Sequence, residues 1–199
     1  MIRTFIAVLA LGLALAAPAL ANPVTQDPAK VPAGTYELDK RHASLFAKIP
    51  HMGGFSRYAL RMGGLRGGFI YDPANWQTTK VTITVDPAAV DTGEASFDNE
   101  VAGYLGAGKF PIITFASTDL KTDGAHGVLT GDLTFHGVTK PVALDVTFNG
   151  VGPGLLGAGT RIGFSGTGHI KRSDFGATGA SIFAGDDVDL VFEVEFVKK

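Results

Sequence analysis

Residues 129–148 read LTGDLTFHGVTKPVALDVTF, and this stretch decides the fold. Apolar residues or glycine occupy every second position from Leu129 to Phe135 and again from Val142 to Phe148, with Thr, Asp or Ala between them. Such alternation predicts two β-strands, each with one apolar face and one face in water. The intervening segment His136–Lys140 is short and predicts an antiparallel hairpin connection.

The same two-residue period extends over most of the chain. It is clearest at 81–85 and 188–196, and further strands are predicted at 35–39, 42–50, 57–71, 111–119 and 159–171. Apolar positions change from even to odd at Gly63-Gly64, which predicts a β-bulge within the strand 57–71. Helical spacing is found at Ser96–Leu105, and Arg172–Phe175 fits a single helical turn. The chain is therefore all-β, with eight or nine strands and one or two short helices.

An open sheet of this size would expose two edges and one apolar face, and two helical pieces are too few to cover them. The fold is therefore a β-sandwich or a closed antiparallel barrel. An eight-stranded barrel is wide enough either to be filled by side chains or to hold one small ligand. Gly131, at an inward position between Leu129 and Leu133, favours free space inside.

Composition excludes several classes of protein. The chain has 199 residues, 45% hydrophobic residues and no cysteine, which excludes a disordered chain, a disulfide scaffold and a cysteine-bound metal. Its 17 basic and 19 acidic residues give a net charge of −2, which argues against a nucleic-acid partner.

The first residues have the pattern of a secretory signal peptide. A basic start, the apolar run Phe5–Ala16 and the small residues Ala19-Leu20-Ala21 predict cleavage after Ala21, so that residues 1–21 are removed. The proline-containing segment 22–33 is predicted to be a flexible lead-in, and 34–199 one barrel domain. The absence of cysteine and of Asn-x-Ser/Thr sequons favours a bacterial periplasm.

Motifs of catalysis and metal binding are weak. Gly103–Lys109 has the spacing of a phosphate-binding loop, but Phe110 stands where Ser or Thr is required. The five histidines show no paired metal spacing, and the acids around Asp187 fit the wet face of a strand. We therefore predict no catalytic residue, no metal site and no cofactor, and an enzyme remains an unsupported alternative.

Charge is distributed unevenly along the chain. Residues 40–71 hold six basic side chains and no acid, whereas 186–195 hold five acids and no base. Because the last strand of a closed barrel pairs with an early one, the simpler interpretation is cross-strand charge pairing. The alternative is that Arg57 or Arg61, with His51 nearby, faces an anionic head group at the barrel mouth.

Several segments together resemble the YceI-like family. They are Tyr36–Asp39 with His42–Ser44, Ile49–Gly53, Lys109–Thr118, Gly131–Val142, Ile170–Gly176 and the closing strand 186–197, in that order along residues 34–198. The resemblance implies a secreted, mostly periplasmic protein with a lipocalin-like barrel that binds a polyisoprenoid or another long-chain amphiphile. It also implies links to isoprenoid quinones and to cytochrome b561-type membrane proteins, and it supplies no catalytic residues.

An apolar pocket for such a chain would be lined by inward-facing strand residues. The predicted ligand-binding wall consists of Phe69, Ile83, Phe115, Leu133, Phe135, Val146, Phe148, Phe164, Leu190 and Phe192. Each of them fits barrel core equally well. Tyr58 and Tyr104 are predicted gate residues at the mouth, because each joins an apolar ring to a polar tip.

Three functions follow from these observations. The leading hypothesis is a periplasmic carrier that sequesters a polyisoprenoid, an isoprenoid quinone or a similar lipid inside the barrel without catalysis. The second is a secreted enzyme that acts on such a lipid or quinone. The third is a stress or interaction protein with a filled barrel. A homodimer is kept open as an alternative to a monomer.

Overall fold

The structure is a computed structural model that describes residues 24–199, so the predicted signal peptide lies outside the described residues. Within that range the strands are β1 Gly34–His51, β2 Ser56–Arg61, β3 Arg66–Tyr71, β4 Val81–Val85, β5 Ile113–Asp123, β6 His126–Phe135, β7 Val138–Pro153, β8 Thr160–Lys171 and β9 Asp187–Lys198. The α-helix α1 spans Ala95–Tyr104. Short 3₁₀ helices lie at Pro28–Lys30, Met52–Gly54, Pro73–Thr78, Pro87–Ala89, Leu155–Gly157 and Arg172–Phe175. None of the helices described in 24–199 has the length and apolar character needed to cross a membrane.

The strands form one closed antiparallel barrel. Their order is β2-β1-β3-β4-β5-β6-β7-β8-β9, and β1 also pairs with β9, for example at Leu45 and Phe192. Eight strands close the barrel, and β2 is an additional strand beside the second half of β1. The predicted all-β, eight-stranded barrel is confirmed.

The β6–β7 hairpin has the predicted position. It turns at His136 and Gly137, whose φ angles of 51° and 78° are both positive. Two consecutive residues with positive φ define the tight turn whose twist matches that of an antiparallel pair. The register then runs without interruption from Phe135–Val138 to His126–Thr147, so alternate side chains of both strands share the inner face.

The prediction of a β-bulge at Gly63-Gly64 is wrong, because the strand is interrupted there and the chain leaves the sheet. The expected strand 57–71 is divided into β2 and β3, which lie one after the other along the same edge of β1. Gly64 has a φ of 63°, and a β-carbon there would lie 2.5 Å from the β-carbon of Asp86. In contrast, the predicted strands 35–39 and 42–50 form the single strand β1, with an irregularity between Leu38 and Ala43.

Both predicted helical segments are found. The Glu94 carboxylate caps α1 by accepting hydrogen bonds from the N–H groups of Ser96 and Phe97, at 3.1 and 3.0 Å. Val101 is the one fully buried residue of α1. Most of the helix is exposed, and its residues Phe97, Val101 and Tyr104 face the interior of the barrel at one end.

The described part of the predicted lead-in, residues 24–33, packs on the barrel. Thr25 and Val151 exchange two backbone hydrogen bonds of 2.9 Å, and Val31 is buried. The Tyr36 hydroxyl donates a hydrogen bond of 2.8 Å to the carbonyl of Pro32. Backbone pairing at Thr25 and burial of Val31 attach parts of this segment to the barrel, and its flexibility stays a prediction.

The barrel has two different ends. One end, here called the α1 end, is where strands β1, β6 and β8 finish, and it carries α1 and the helical turn Arg172–Phe175. The opposite end, here called the turn end, carries the β5–β6 and β7–β8 turns. Toward the turn end, aromatic rings form a dense cluster, in which Phe69 stacks on Tyr36 and meets Phe196 edge-on, each at 5.0 Å between ring centroids. A second cluster, near the α1 end, contains Phe135 and Phe175. Open space remains along the barrel between the packed groups.

Candidate functional site

An apolar cavity of about 1030 Å³ runs along the inside of the barrel. This volume is at the upper limit of typical small-molecule sites, about 300–1,000 Å³. Its lining extends from His51 and Tyr104 at the α1 end to Trp76 and Ala125 at the turn end. Side chains therefore leave open space inside the barrel, which argues against the filled-barrel alternative.

All ten residues predicted for the ligand-binding wall line this cavity. They are Phe69, Ile83, Phe115, Leu133, Phe135, Val146, Phe148, Phe164, Leu190 and Phe192. Phe69, Leu133, Phe135 and Phe148 are also buried members of the core clusters, whereas the other six are half-buried. The position on the wall follows from strand parity, and contact with a ligand stays a prediction.

Two glycines on the inner face shape the wall. A β-carbon on Gly131 would lie 2.5 Å from Cζ of Phe115, and one on Gly166 would clash with Cζ of Phe192. The two rings therefore lie over glycines of the neighbouring strands. Gly131 does make room inside the barrel, as expected, but the Phe115 ring takes up that room.

His51, Tyr58 and Tyr104 line the cavity at its α1 end, where the sequence placed the mouth. The Tyr58 hydroxyl donates a hydrogen bond of 3.2 Å to the carbonyl of Thr92, which precedes α1. The Tyr104 hydroxyl donates one of 2.7 Å to Oε1 of Glu100, and this bond raises the pKa of the Tyr104 phenol. The rings of both tyrosines therefore lie beside the cavity, while their hydroxyl groups are held by hydrogen bonds at its mouth.

Arg57 and Arg61 do not line the cavity, so the geometry does not support their predicted role toward a head group. The Arg57 guanidinium forms an ion pair with Asp189 of β9, and Arg61 lies 3.8 Å from a carboxylate oxygen of Asp91. Their parity on β2 is opposite to that of Tyr58 and Leu60, which both line the cavity. Arg57 therefore takes part in charge pairing between strands, which was the simpler interpretation of the sequence.

His169 joins the same outer cluster of charges. Its Nδ1 lies 2.9 Å from Asp189 and its Nε2 lies 3.1 Å from Asp187. The hydrogen bond to Asp189, helped by a smaller contribution from Asp187 and opposed by desolvation, raises the pKa of His169. The same bond lowers the pKa of Asp189. The acid-rich segment 186–195 is thus used largely for pairing with side chains of β2 and β8.

Sequence reasoning missed Arg172, which lines the cavity at the α1 end. Its guanidinium donates hydrogen bonds of 2.6–2.8 Å to the carbonyls of Ala177, Gly179, Ala184 and Gly185. These bonds fix the loop 177–185 at the mouth. No sequence pattern indicated this, because the carbonyls belong to a loop whose course follows from the fold.

Among the described residues, one group of acidic and imidazole side chains has ligand atoms close enough together to hold a metal. It consists of Asp39, His42 and Glu195, with ligand atoms within 4.8 Å of one another. The Arg161 guanidinium donates hydrogen bonds of 2.7 Å to Asp39 and 2.8 Å to Glu195. Because the positively charged Arg161 side chain already bridges the two carboxylates, these residues do not fit a metal site.

Comparison with known proteins identifies the family. The family model of the YceI-like domain matches residues 36–196. The chain belongs to the YceI-like family. The YceI protein of Escherichia coli O157:H7 is 37% identical over 174 residues, which cover 84% of this chain and 88% of that protein. The resemblance found in the sequence is confirmed.

Two solved structures share the barrel. The Campylobacter jejuni YceI protein is 34% identical, with a TM-score of 0.64 over 73% of this chain and 87% of that chain. A polyisoprenoid binding domain from Saccharophagus degradans is 17% identical, with a TM-score of 0.62 over 82% of this chain and 98% of that chain. At that identity the second comparison shows the fold alone.

Proposed function

We propose that this YceI-like protein is a periplasmic carrier that sequesters a polyisoprenoid or a similar long-chain amphiphile in its barrel and catalyses no reaction on it. The observation that carries the proposal is the apolar cavity of about 1030 Å³ that extends between the two ends of the barrel. A cavity of this shape and chemistry suits a long hydrocarbon chain. The Saccharophagus degradans domain, which has the same fold, is named for polyisoprenoid binding and supports the choice of ligand class.

Burial of the hydrocarbon supplies the affinity. Each buried CH₂ group contributes about 0.8 kcal/mol, so one isoprene unit of five carbons has a nominal driving force of roughly 4 kcal/mol. Ordering of the chain and loss of overall motion offset much of this gain. Affinity should therefore rise with the number of isoprene units until the chain is longer than the cavity.

The polar lining supports one orientation of the ligand. His51, Tyr58, Tyr104 and Arg172 surround the cavity at the α1 end and suit a polar head group. At the turn end, the hydroxyl of Thr79 is buried, and no hydrogen-bond partner is seen for it among residues 24–199. We place the head group at the α1 end. The substitution Thr79→Val should then leave affinity unchanged, whereas a clear loss would place the head group at the turn end.

The deciding experiment is native mass spectrometry of protein purified from its own host, followed by lipid extraction. We expect a co-purifying long-chain isoprenoid, and the extract also shows whether it is a quinone. Leu190→Trp should fill part of the cavity and reduce the bound fraction. Val191→Trp, on the other face of β9, is the matched control. Equal ligand content in both variants, or no lipid in the wild-type protein, would contradict the proposal.

Isoprenoid quinones and a cytochrome b561-type membrane partner belong to the same proposal, as the family resemblance implies. A quinone in the extract would support delivery to such a partner. The enzyme alternative has a separate test: turnover of the added lipid that is lost in His51→Ala would favour it over the carrier.

A further inference from the structure

Large apolar side chains are exposed at the α1 end. Phe55 is 88% exposed, Ile182 84%, Phe183 52% and Met52 48%. We call these four residues the apolar rim. Exposed contiguous apolar groups on a soluble protein mark sites of contact with a partner or a membrane.

The apolar rim is built from two segments that are bonded together. Met52 N–H donates a hydrogen bond of 2.7 Å to the carbonyl of Phe183, and Gly185 N–H donates one of 2.8 Å to the carbonyl of Pro50. His51 and Ala184 also form an antiparallel bridge. The β1–β2 turn and the loop 177–185 therefore present their side chains as one surface.

The loop 177–185 is fixed although it carries exposed apolar residues. Arg172 binds four of its carbonyls, and the carbonyl of Ala180 accepts hydrogen bonds of 2.8 Å from the N–H groups of Phe183 and Ala184. Many of the loop's backbone N–H and carbonyl groups thus have hydrogen-bond partners within the protein. Such a loop can enter a weakly hydrated environment at low cost, because few polar groups lose water without a partner.

The apolar rim is continuous with the cavity. Phe183, which belongs to the rim, lines the cavity, and so do Phe97 and Tyr104, which are 37% and 40% exposed. At the turn end, Leu155 and Leu156 are 79% and 89% exposed, but neither lines the cavity. An unbroken apolar path from the surface to the interior is therefore found at the α1 end.

Charges beside the apolar rim are compensated. Arg57, two residues from Phe55, is paired with Asp189, and Asp186 accepts hydrogen bonds of 2.8 Å from the N–H and Oγ of Ser173. Within residues 50–58 and 177–186, which form this surface, Arg57 is the one lysine or arginine, so a run of unpaired basic residues of the kind that attracts anionic lipids is not found there. Its chemistry fits a membrane with zwitterionic head groups.

We propose that the apolar rim inserts into the interfacial region of a zwitterionic phospholipid bilayer, so that the mouth of the cavity opens onto the membrane. The inference rests on the proposed lipid-carrying function, because a long-chain ligand would then pass between bilayer and barrel without crossing water. Aromatic and aliphatic side chains bury to a depth of about 5–10 Å in such an interface.

The test is sedimentation of the full-length mature protein with phosphatidylcholine vesicles. The double variant Phe55→Ser/Ile182→Ser changes two rim residues that do not line the cavity, and Leu155→Ser/Leu156→Ser is the matched control at the turn end. We expect the affinity of the rim variant for vesicles to be lower than that of the wild type by a factor of roughly ten or more, and the affinity of the control to equal that of the wild type. Binding should change little between low and high salt.

A second measurement separates this inference from the proposed function. Trp76, the single tryptophan, lines the cavity at the turn end, so its fluorescence reports occupation by farnesol in the absence of vesicles. Farnesol binding should be the same in the wild type and the rim variant. No farnesol binding with intact vesicle binding would contradict the carrier function and leave membrane docking in place.

Three results would overturn the membrane proposal. The first is a wild-type protein that does not sediment with the vesicles. The second is an equal loss of binding in the rim and control variants. The third is a dimer in analytical ultracentrifugation that dissociates in the rim variant, since the apolar rim would then be an interface between two copies of the chain.

Discussion

The ring of Phe97 on α1 packs edge-on against Tyr58 on β2, with 5.9 Å between the ring centroids. This contact joins the helix to the additional strand β2, beside the hydrogen bond from the Tyr58 hydroxyl to Thr92. Both rings line the cavity. The pair therefore closes one side of the mouth, and its strength should control how readily α1 moves away.

We predict that Tyr58→Ala accelerates release of a bound isoprenoid. An aromatic pair of this geometry contributes about 0.5–1.5 kcal/mol beyond its buried area, which corresponds to roughly a two- to tenfold faster rate. Stopped-flow measurement of Trp76 fluorescence would record the release. Tyr58→Phe keeps the ring and removes the hydroxyl bond to Thr92, and it should release ligand like the wild type. Equal rates for Tyr58→Ala and the wild type would show that the ring pair does not control the mouth.

We predict that Gly131→Ala destabilises the protein. The new β-carbon would press on the Phe115 ring and would lie 2.6 Å from the carbonyl oxygen of Ala116, so that the β5–β6 ladder must shift. Such overpacking costs about 1–3 kcal/mol of unfolding free energy, measurable in urea. Gly163→Ala is the control, because its β-carbon would make an ordinary contact of 3.6 Å with Asn149. A variant at Gly131 as stable as the one at Gly163 would mean that the ring and the ladder adapt freely.

We predict a pH-dependent contribution of Asp39 to stability. Hydrogen bonds from His42 and Arg161 hold the pKa of the Asp39 carboxyl well below its ordinary value. The contribution is therefore complete above the unfolded pKa of about 3.9 and is lost as the pH falls through the lower, folded pKa. Asp39→Asn should cost on the order of 1–3 kcal/mol at pH 7, from the loss of charged hydrogen bonds.

The measurement for Asp39 is the difference in unfolding free energy between wild type and variant as a function of pH. This difference should shrink as the pH is lowered below about 4. Asp119→Asn, at an exposed position on β5, serves as control and should have little effect at any pH. A difference for Asp39→Asn that is independent of pH would show that lost packing, and not the charge, is responsible.

We predict that His169 titrates above the ordinary histidine pKa of about 6.5, because Asp189 and Asp187 stabilise its protonated form. With a raised folded pKa, its contribution to stability is present below the unfolded pKa and is lost as the pH rises through the folded value. Nuclear magnetic resonance titration of the ring protons gives the pKa directly. Asp189→Asn should lower it, and Asp119→Asn should leave it unchanged. No change in Asp189→Asn would assign the shift to other charges.

Strand parity accounts for much of what the sequence predicted. Because side chains alternate between the two faces of a strand, the apolar positions of β4, β6 and β9 could be assigned to the inner face without knowledge of the partners. The residues predicted for the wall, among them Ile83 and Phe192, line the cavity for this reason. The hairpin at His136-Gly137 could be predicted because its connection is local.

Features that depend on contacts between residues distant in sequence could not be predicted from the local pattern of apolar and polar residues. The break between β2 and β3 depends on the approach of Asp86 to Gly64, and the packing of residues 24–33 depends on Val151. The alternative role of Arg57 at the mouth rests on the basic character of residues 40–71 and on the nearby His51, neither of which gives the face of the strand. The side chains of Arg57 and Tyr58 leave the strand on opposite faces, so that only the tyrosine lines the cavity.

Closure of the barrel by β1 and β9 has a consequence for folding. The ladder joins Ala43 to Val194, so the first long strand obtains its second neighbour only when the last strand is present. Contacts between segments so distant in sequence carry a high entropic cost before they contribute stability, and folds that depend on them form slowly. Until then the edge of β1 and the apolar interior are open to other chains, so aggregation competes with the final step. A nascent or newly unfolded chain is thus most in need of a chaperone just before its C-terminal strand pairs.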